Sequence, residues 1–172
     1  MDHASMPWDT AAMAASGFTL SVVEPLLVAA TRHRRWWRRL GLPAHVALPV
    51  FLLVHAAAVL GPCLVPVGTV VRIAAEAAVL AAGVWFWLPV MGEPHRLSGP
   101  GRCLYVFVAA PLLDLPAVGV IAAGRTGPGL AMIAAMLPIG LCAMTTTWTW
   151  ITAEESRAAA AAVGGGRTRS GA

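Results

Sequence analysis

The sequence has no lysine; all 12 of its formally basic residues are arginines, set against 8 acidic residues. Charge of either sign is scarce, at 12% of 172 residues, where a soluble domain carries about 25%. With 58% hydrophobic residues and a mean hydropathy of +0.73, that scarcity places the chain in the membrane class. The lack of lysine beside abundant Ala, Gly, Val and Pro reads as GC-rich coding and carries no mechanism. Cysteine is also sparse. Cys63, Cys103 and Cys142 are odd in number and far apart, with no CxxC or Cys/His cluster, which argues against a disulfide framework or a zinc module. The start, "MDHASMPWDT", lacks the basic n-region of a cleaved signal, so the first apolar segment is read as a retained helix. No nucleophile triad, phosphate loop, dinucleotide motif or HExxH is present, and the expectation is a protein that is not an enzyme.

What the chain does have is apolar length. Crossing the hydrocarbon core takes about 20 mainly apolar residues, and five segments qualify, near residues 10–31, 44–61, 69–91, 103–123 and 129–152. The second is the shortest and is bracketed by Pro49 and Pro62, so a tilted or re-entrant course is an alternative there. The connections "GLPAH", "LGPCLVPVG", "GEPHRLSGPGR" and "GRTGPG" are short and rich in helix breakers. The predicted fold is all-α, a polytopic integral membrane bundle of five helices occupying residues 1–152 as one domain. In the tail, 153–172, the alanine run extends the last helix and the Gly-rich end is expected to be disordered.

Arginine placement predicts the orientation. Arg32, Arg34, Arg35, Arg38 and Arg39 crowd the loop "TRHRRWWRRLG", which favours the cytoplasmic side. Five spans then put Arg96, Arg102, Arg157, Arg167 and Arg169 inside as well, the N-terminus outside and the C-terminus in the cytoplasm. Only Arg125 and Arg72 are left toward the outer side. Indole favours the headgroup layer, and Trp36, Trp37, Trp85, Trp87, Trp148 and Trp150 all fall at the predicted cytoplasmic ends as interface anchors. The arginine loop is then a topology signal beside anionic lipid. No aromatic-interleaved groove accompanies the charge, so nucleic acid is not an expected partner.

Four ionisable residues lie within the apolar segments: Glu24, Arg72, Glu76 and Asp114. A charge at the bilayer centre costs about 2.5–3.5 kcal/mol, which makes each a functional candidate. Cheaper readings stand beside that one. Arg72 is close enough to its helix end to snorkel, and Glu76, at i, i+4 from it, can pair with it as a structural device. Asp114, between Pro111 and Pro116, can when protonated donate to a carbonyl freed by proline. Glu24 precedes Pro25 and has no evident local partner. Among metal candidates, His55 stands about 80° around the wheel from His45, and Met132 and Met136 share a face at i, i+4. Cys142 and Met144 lie farther along the same helix, and thioethers and thiols suit Cu(I), whereas methionine and histidine inside a bundle more often serve packing.

Three stretches carry a family resemblance: "VVRIAAEAAVLAAGVWFWLPVMG", "GPGRCLYVFVAAPLLDLPAVGV" and "PGLAMIAAMLPIGLCAMTTTWTWITAEE". A helix with a central glutamate running into W-x-P, an R-x-LY-x-F start and a last helix ending in W-x-W and acidic residues resemble the carboxy-terminal part of the CtaG-type cytochrome c oxidase assembly factors. These are polytopic bacterial membrane proteins associated with maturation of haem-copper oxidases. Glu76 matches the family glutamate, while Ile73 and Ala77 occupy the positions of its flanking histidines. The resemblance implies a multi-pass protein of the bacterial cell membrane that assists oxidase assembly through helix contacts, with oxidase subunits and the lipid bilayer as partners. The absence of those two histidines puts direct copper handling in doubt, and no cofactor is expected. The intramembrane acids motivate a different reading, a small proton-coupled transporter or carrier subunit, for which a homo-oligomer would supply the second half.

Overall fold

The structure is a computed structural model that describes residues 7–34, 37–92 and 96–169; the side chains of residues 7–9, 38, 40 and 162–169 are outside that description. All regular elements among the described residues are helical. A first rod consists of α1 (Pro7–Phe18), a π-helical stretch (Thr19–Val23) and α2 (Glu24–Thr31). It does not break at its joints, because Phe18, Val23 and Glu24 keep right-handed helical backbone. A short α3 (Trp37–Leu40) leads to α4 (Ala44–Leu64), α5 (Thr69–Met91), α6 (Gly99–Ala122) and α7 (Thr126–Arg169). Five of these segments are long and apolar enough to cross a membrane.

Local chemistry explains the ends. Gly68 and Pro43 hold extended backbone just before α5 and α4, and the Ser98 hydroxyl accepts from the Gly101 N–H at 3.3 Å to cap α6. Gly124 closes α6 at φ +85°, a left-handed conformation that suits glycine. Despite Pro49 and Pro62, α4 is a continuous helix of 21 residues, about 31 Å at 1.5 Å per residue. The last helix has 44 residues, so it runs well past the others and continues through the alanine run to Arg169. Its Arg157–Glu154 pair, 2.7 Å and solvent-exposed, contributes about 0.2–1 kcal/mol at most.

The π-helical stretch has an identifiable cause. Pro25 has no N–H and its ring would crowd the carbonyl four residues back, so the preceding turn widens and the Glu24 N–H bonds to the Thr19 carbonyl. Leu20 then loses both of its intrahelical donors, one redirected to Thr19 and the other missing from Pro25. The Trp87 indole replaces them, donating to the Leu20 carbonyl at 2.9 Å. Nearby, Ser21 Oγ donates to the Ala135 carbonyl at 2.7 Å and ties the first rod to α7.

The helices pack as a closed ring. Going around, α1 packs on α7, α7 on α6, α6 on α4, α4 on α5, and α5 on α2. The two halves of the first rod thus face different neighbours. At the α2 end the ring is filled by an aromatic cluster, with Phe86 centred 4.9 Å from Phe51, 5.0 Å from Trp87 and 5.3 Å from Tyr105. Tyr105 Oη adds a hydrogen bond to the Phe86 carbonyl at 3.2 Å. At the α1 end the first half of α5 stands clear; its buried positions begin only at Val79.

Candidate functional site

That divergence leaves a cavity of about 320 Å³. Ala12, Met13 and Ser16 of α1 form one side, and His55, Ala58, Val59 and Pro62 of α4 the other. Arg72, Ile73, Glu76 and Val79 of α5, Met132 of α7 and Arg125 of the α6–α7 turn complete it. The cavity opens beside α5, where Arg72, Ile73 and Glu76 are exposed.

Each polar group is placed by a local feature. The turn at Gly124 positions Arg125, whose N–H bonds the Val120 carbonyl at 3.1 Å and whose Nη1 donates to Cys63 Sγ at 3.8 Å, fastening this turn to the end of α4. Ser16 Oγ donates to Glu76 Oε2 at 3.4 Å, across the gap between α1 and α5. Arg72 and Glu76 are one turn apart on α5, yet no ion pair joins them. Among the described residues, the guanidinium groups of Arg72 and Arg125 and the carboxylate of Glu76 lie at the rim.

Deeper in, His55 is 1% exposed and packs on Phe51 at 5.7 Å between ring centroids. The Leu113 backbone is a polar neighbour of the imidazole, but neither ring nitrogen meets a partner with hydrogen-bond geometry. Met132 is also buried and supplies an apolar thioether wall.

Arg72, Glu76, His55 and Met132 thus come together, on three different helices. The other candidates do not join them. Glu24, 5% exposed, presses its carboxyl against Gly83 of α5, where any Cβ would overlap it, and both carboxyl oxygens lack a hydrogen-bond partner. Asp114 is half-buried on α6, outside the cavity lining, with Oδ1 unpartnered. Met136 packs beside Gly17 of α1. Sequence reading did not single out Arg125 and Ser16 as site residues. Arg125 did carry a signal, because it shares with Arg72 the end of the bundle away from the other arginines.

The tryptophans divide by burial. Trp37 is buried and donates from Nε1 to the Thr31 carbonyl at 2.9 Å; Trp87 is buried against Leu20. Trp85 and Trp150 are half-buried, Trp148 is 70% exposed, and Trp36 lies outside the described residues. Among the described residues no group of three or more His, Cys, Asp or Glu side chains converges as a metal site, and the three cysteines are free thiols. Comparison with family models, curated proteins and solved structures finds no match for the chain.

Proposed function

We propose that the chain is a multi-pass membrane protein, N-terminus outside and C-terminus cytoplasmic, that serves as a non-enzymatic assembly partner of a respiratory oxidase in the manner of the CtaG-type factors it resembles. Its setting in this reading is the bacterial cell membrane. Membrane insertion is supported by the five apolar helices and by the large apolar side chains on their outer faces, including Leu26, Leu53, Leu104, Leu137 and Leu141. The orientation is supported by the exposed arginines at the α2–α4 loop and at Arg96, all at one end of the helices.

The observation that carries the assembly reading is the uncovered first half of α5. Val70, Val71 and Ile73 are exposed beside the small residues Ala74, Ala77 and Ala78, a surface that admits close approach of another helix. This is the helix on which the family glutamate falls, at Glu76. Copper handling at the family's positions lacks donors in this chain: Ile73 faces the cavity with a hydrocarbon side chain and Ala77 has only a methyl group. His55 and Met132 alone do not make a closed ligand set. The expected role is therefore contact with oxidase subunits and not metal transfer.

Tagged purification in mild detergent tests this reading. Oxidase subunits should co-purify with the wild-type chain and be lost with Ala77→Leu, which crowds the uncovered face without touching the buried core. Unchanged oxidase levels in a deletion strain would sink it. A proton-coupled carrier is favoured by a different observation, the cavity that opens at one end of the ring. It requires flux in reconstituted vesicles that depends on Glu76 or Asp114, and absence of such flux removes it.

A further inference from the structure

The cavity lies within one half of the bundle's length. Arg72 is three residues inside the start of α5 and Val79 is ten, so at 1.5 Å per residue the lining on this helix reaches about 15 Å below its end. The hydrocarbon core of a bilayer is about 30 Å thick, and this depth matches a single leaflet. The mouth includes the flank of the bundle. There α1 packs on α7 whereas α5 packs on α4 and α2, and Ile73, 64% exposed, both lines the cavity and continues the apolar outer surface of Val70 and Val71. The tie from Ser16 Oγ to Glu76 Oε2 crosses this gap at 3.4 Å, beyond the roughly 2.5–3.0 Å of a well-formed hydroxyl hydrogen bond, so it parts at little cost.

Below the mouth the walls are hydrocarbon and thioether, from Val59, Val79 and Met132, and His55 adds almost no polar surface because it is 1% exposed. Bound water needs about two to four polar partners, which these walls do not offer. An apolar cavity of about 150 Å³ accommodates benzene. The volume here, about 320 Å³, is roughly twice that and has room for a stretch of hydrocarbon chain. Lipid hydrocarbon gains no transfer energy by moving from the bilayer into such a space, but it gains dispersion contacts with close-fitting walls, and that fit is the driving force.

We propose that this cavity binds one hydrocarbon chain of a phospholipid from the adjacent leaflet, which enters between α1 and α5, lies against Val59, Val79 and Met132, and leaves its headgroup at the level of Arg72. The inference rests on the membrane reading given above and on no particular function within it.

The test uses the full chain in phosphatidylcholine nanodiscs doped with a phosphatidylcholine that carries a photoactivatable diazirine in the middle of one acyl chain, with adducts mapped by mass spectrometry after illumination. Adducts are expected on Val59 or Met132, which are 7% and 1% exposed and beyond the reach of lipid on the outer face of the bundle. Leu115 and Leu130, exposed leucines toward the same end of the bundle, report that ordinary lipid contact. Ala58→Phe and Ala12→Phe fill the cavity from α4 and from α1 without changing a charge. Forcing a chain past the added ring resembles overpacking a core, so each should lower the inner adducts about tenfold relative to those on Leu115 and Leu130. Helical circular dichroism and a monodisperse elution identify the folded variants, and failure of one to fold leaves the other and the wild-type pattern decisive. Inner adducts that persist in the folded variants overturn the proposal, as does labelling of Leu115 and Leu130 with none at Val59 or Met132. Absence of adducts at all four positions overturns the membrane reading itself, and the proposal with it.

Discussion

At the scale of single residues, two buried polar side chains make opposite predictions. The Trp87 indole supplies the Leu20 carbonyl with a donor that its own helix cannot provide. Trp87→Phe keeps most of the packing but strands a buried carbonyl, so a loss of about 1–3 kcal/mol is expected, read as a lowered thermal midpoint in detergent. An unchanged midpoint would mean that water or another donor serves Leu20. His55 is the converse case, since its nitrogens are buried without partners. His55→Leu replaces a polar group by an apolar one of similar size, and thermal unfolding should show an equal or higher midpoint. Local sequence gave little warning of either contact. "WFWLP" places Trp85 and Trp87 at one end of α5, but the carbonyl that Trp87 meets, that of Leu20, is far away in the chain.

At the scale of elements, length and apolar content are local properties, and the five spanning-length helices were legible for that reason. The π-helical stretch and the neighbour order of the ring were not, because both depend on contacts between distant segments. One consequence can be measured as a coupling. Pro25→Ala restores a backbone N–H next to the widened turn, giving the Leu20 or Ser21 carbonyl a helical donor. Trp87→Phe should therefore cost less in a Pro25→Ala background than in the wild type, by about 0.5 kcal/mol or more in a double-mutant cycle. Strict additivity would show that the proline and the indole act independently. The uncovered half of α5 belongs to this scale too, since α5 packs on α4 and α2 while α1 packs on α7, and the buried positions of α5 begin only at Val79.

At the scale of the whole molecule, the site is a product of topology. Arg72, Glu76, His55 and Met132 could each be picked out in the sequence as polar or soft side chains in apolar surroundings, but their convergence could not, since they lie on three helices. Ser16 had no such signal. The arginine distribution offered the closest approach, because Arg72 and Arg125, the two that fall away from the basic end, both line the cavity.

In the proposed orientation this cavity opens to the outside, a claim best tested by site-directed labelling. In a background where Cys63, Cys103 and Cys142 are replaced by alanine, Glu76→Cys, Ser16→Cys and Arg39→Cys would be expressed separately in intact cells and exposed to a membrane-impermeant maleimide. The account predicts that Glu76→Cys and Ser16→Cys label from outside and that Arg39→Cys labels only after permeabilisation. The reverse pattern would invert the topology; labelling at Arg39→Cys alone, with the cavity positions unreactive from both sides, would contradict an open cavity.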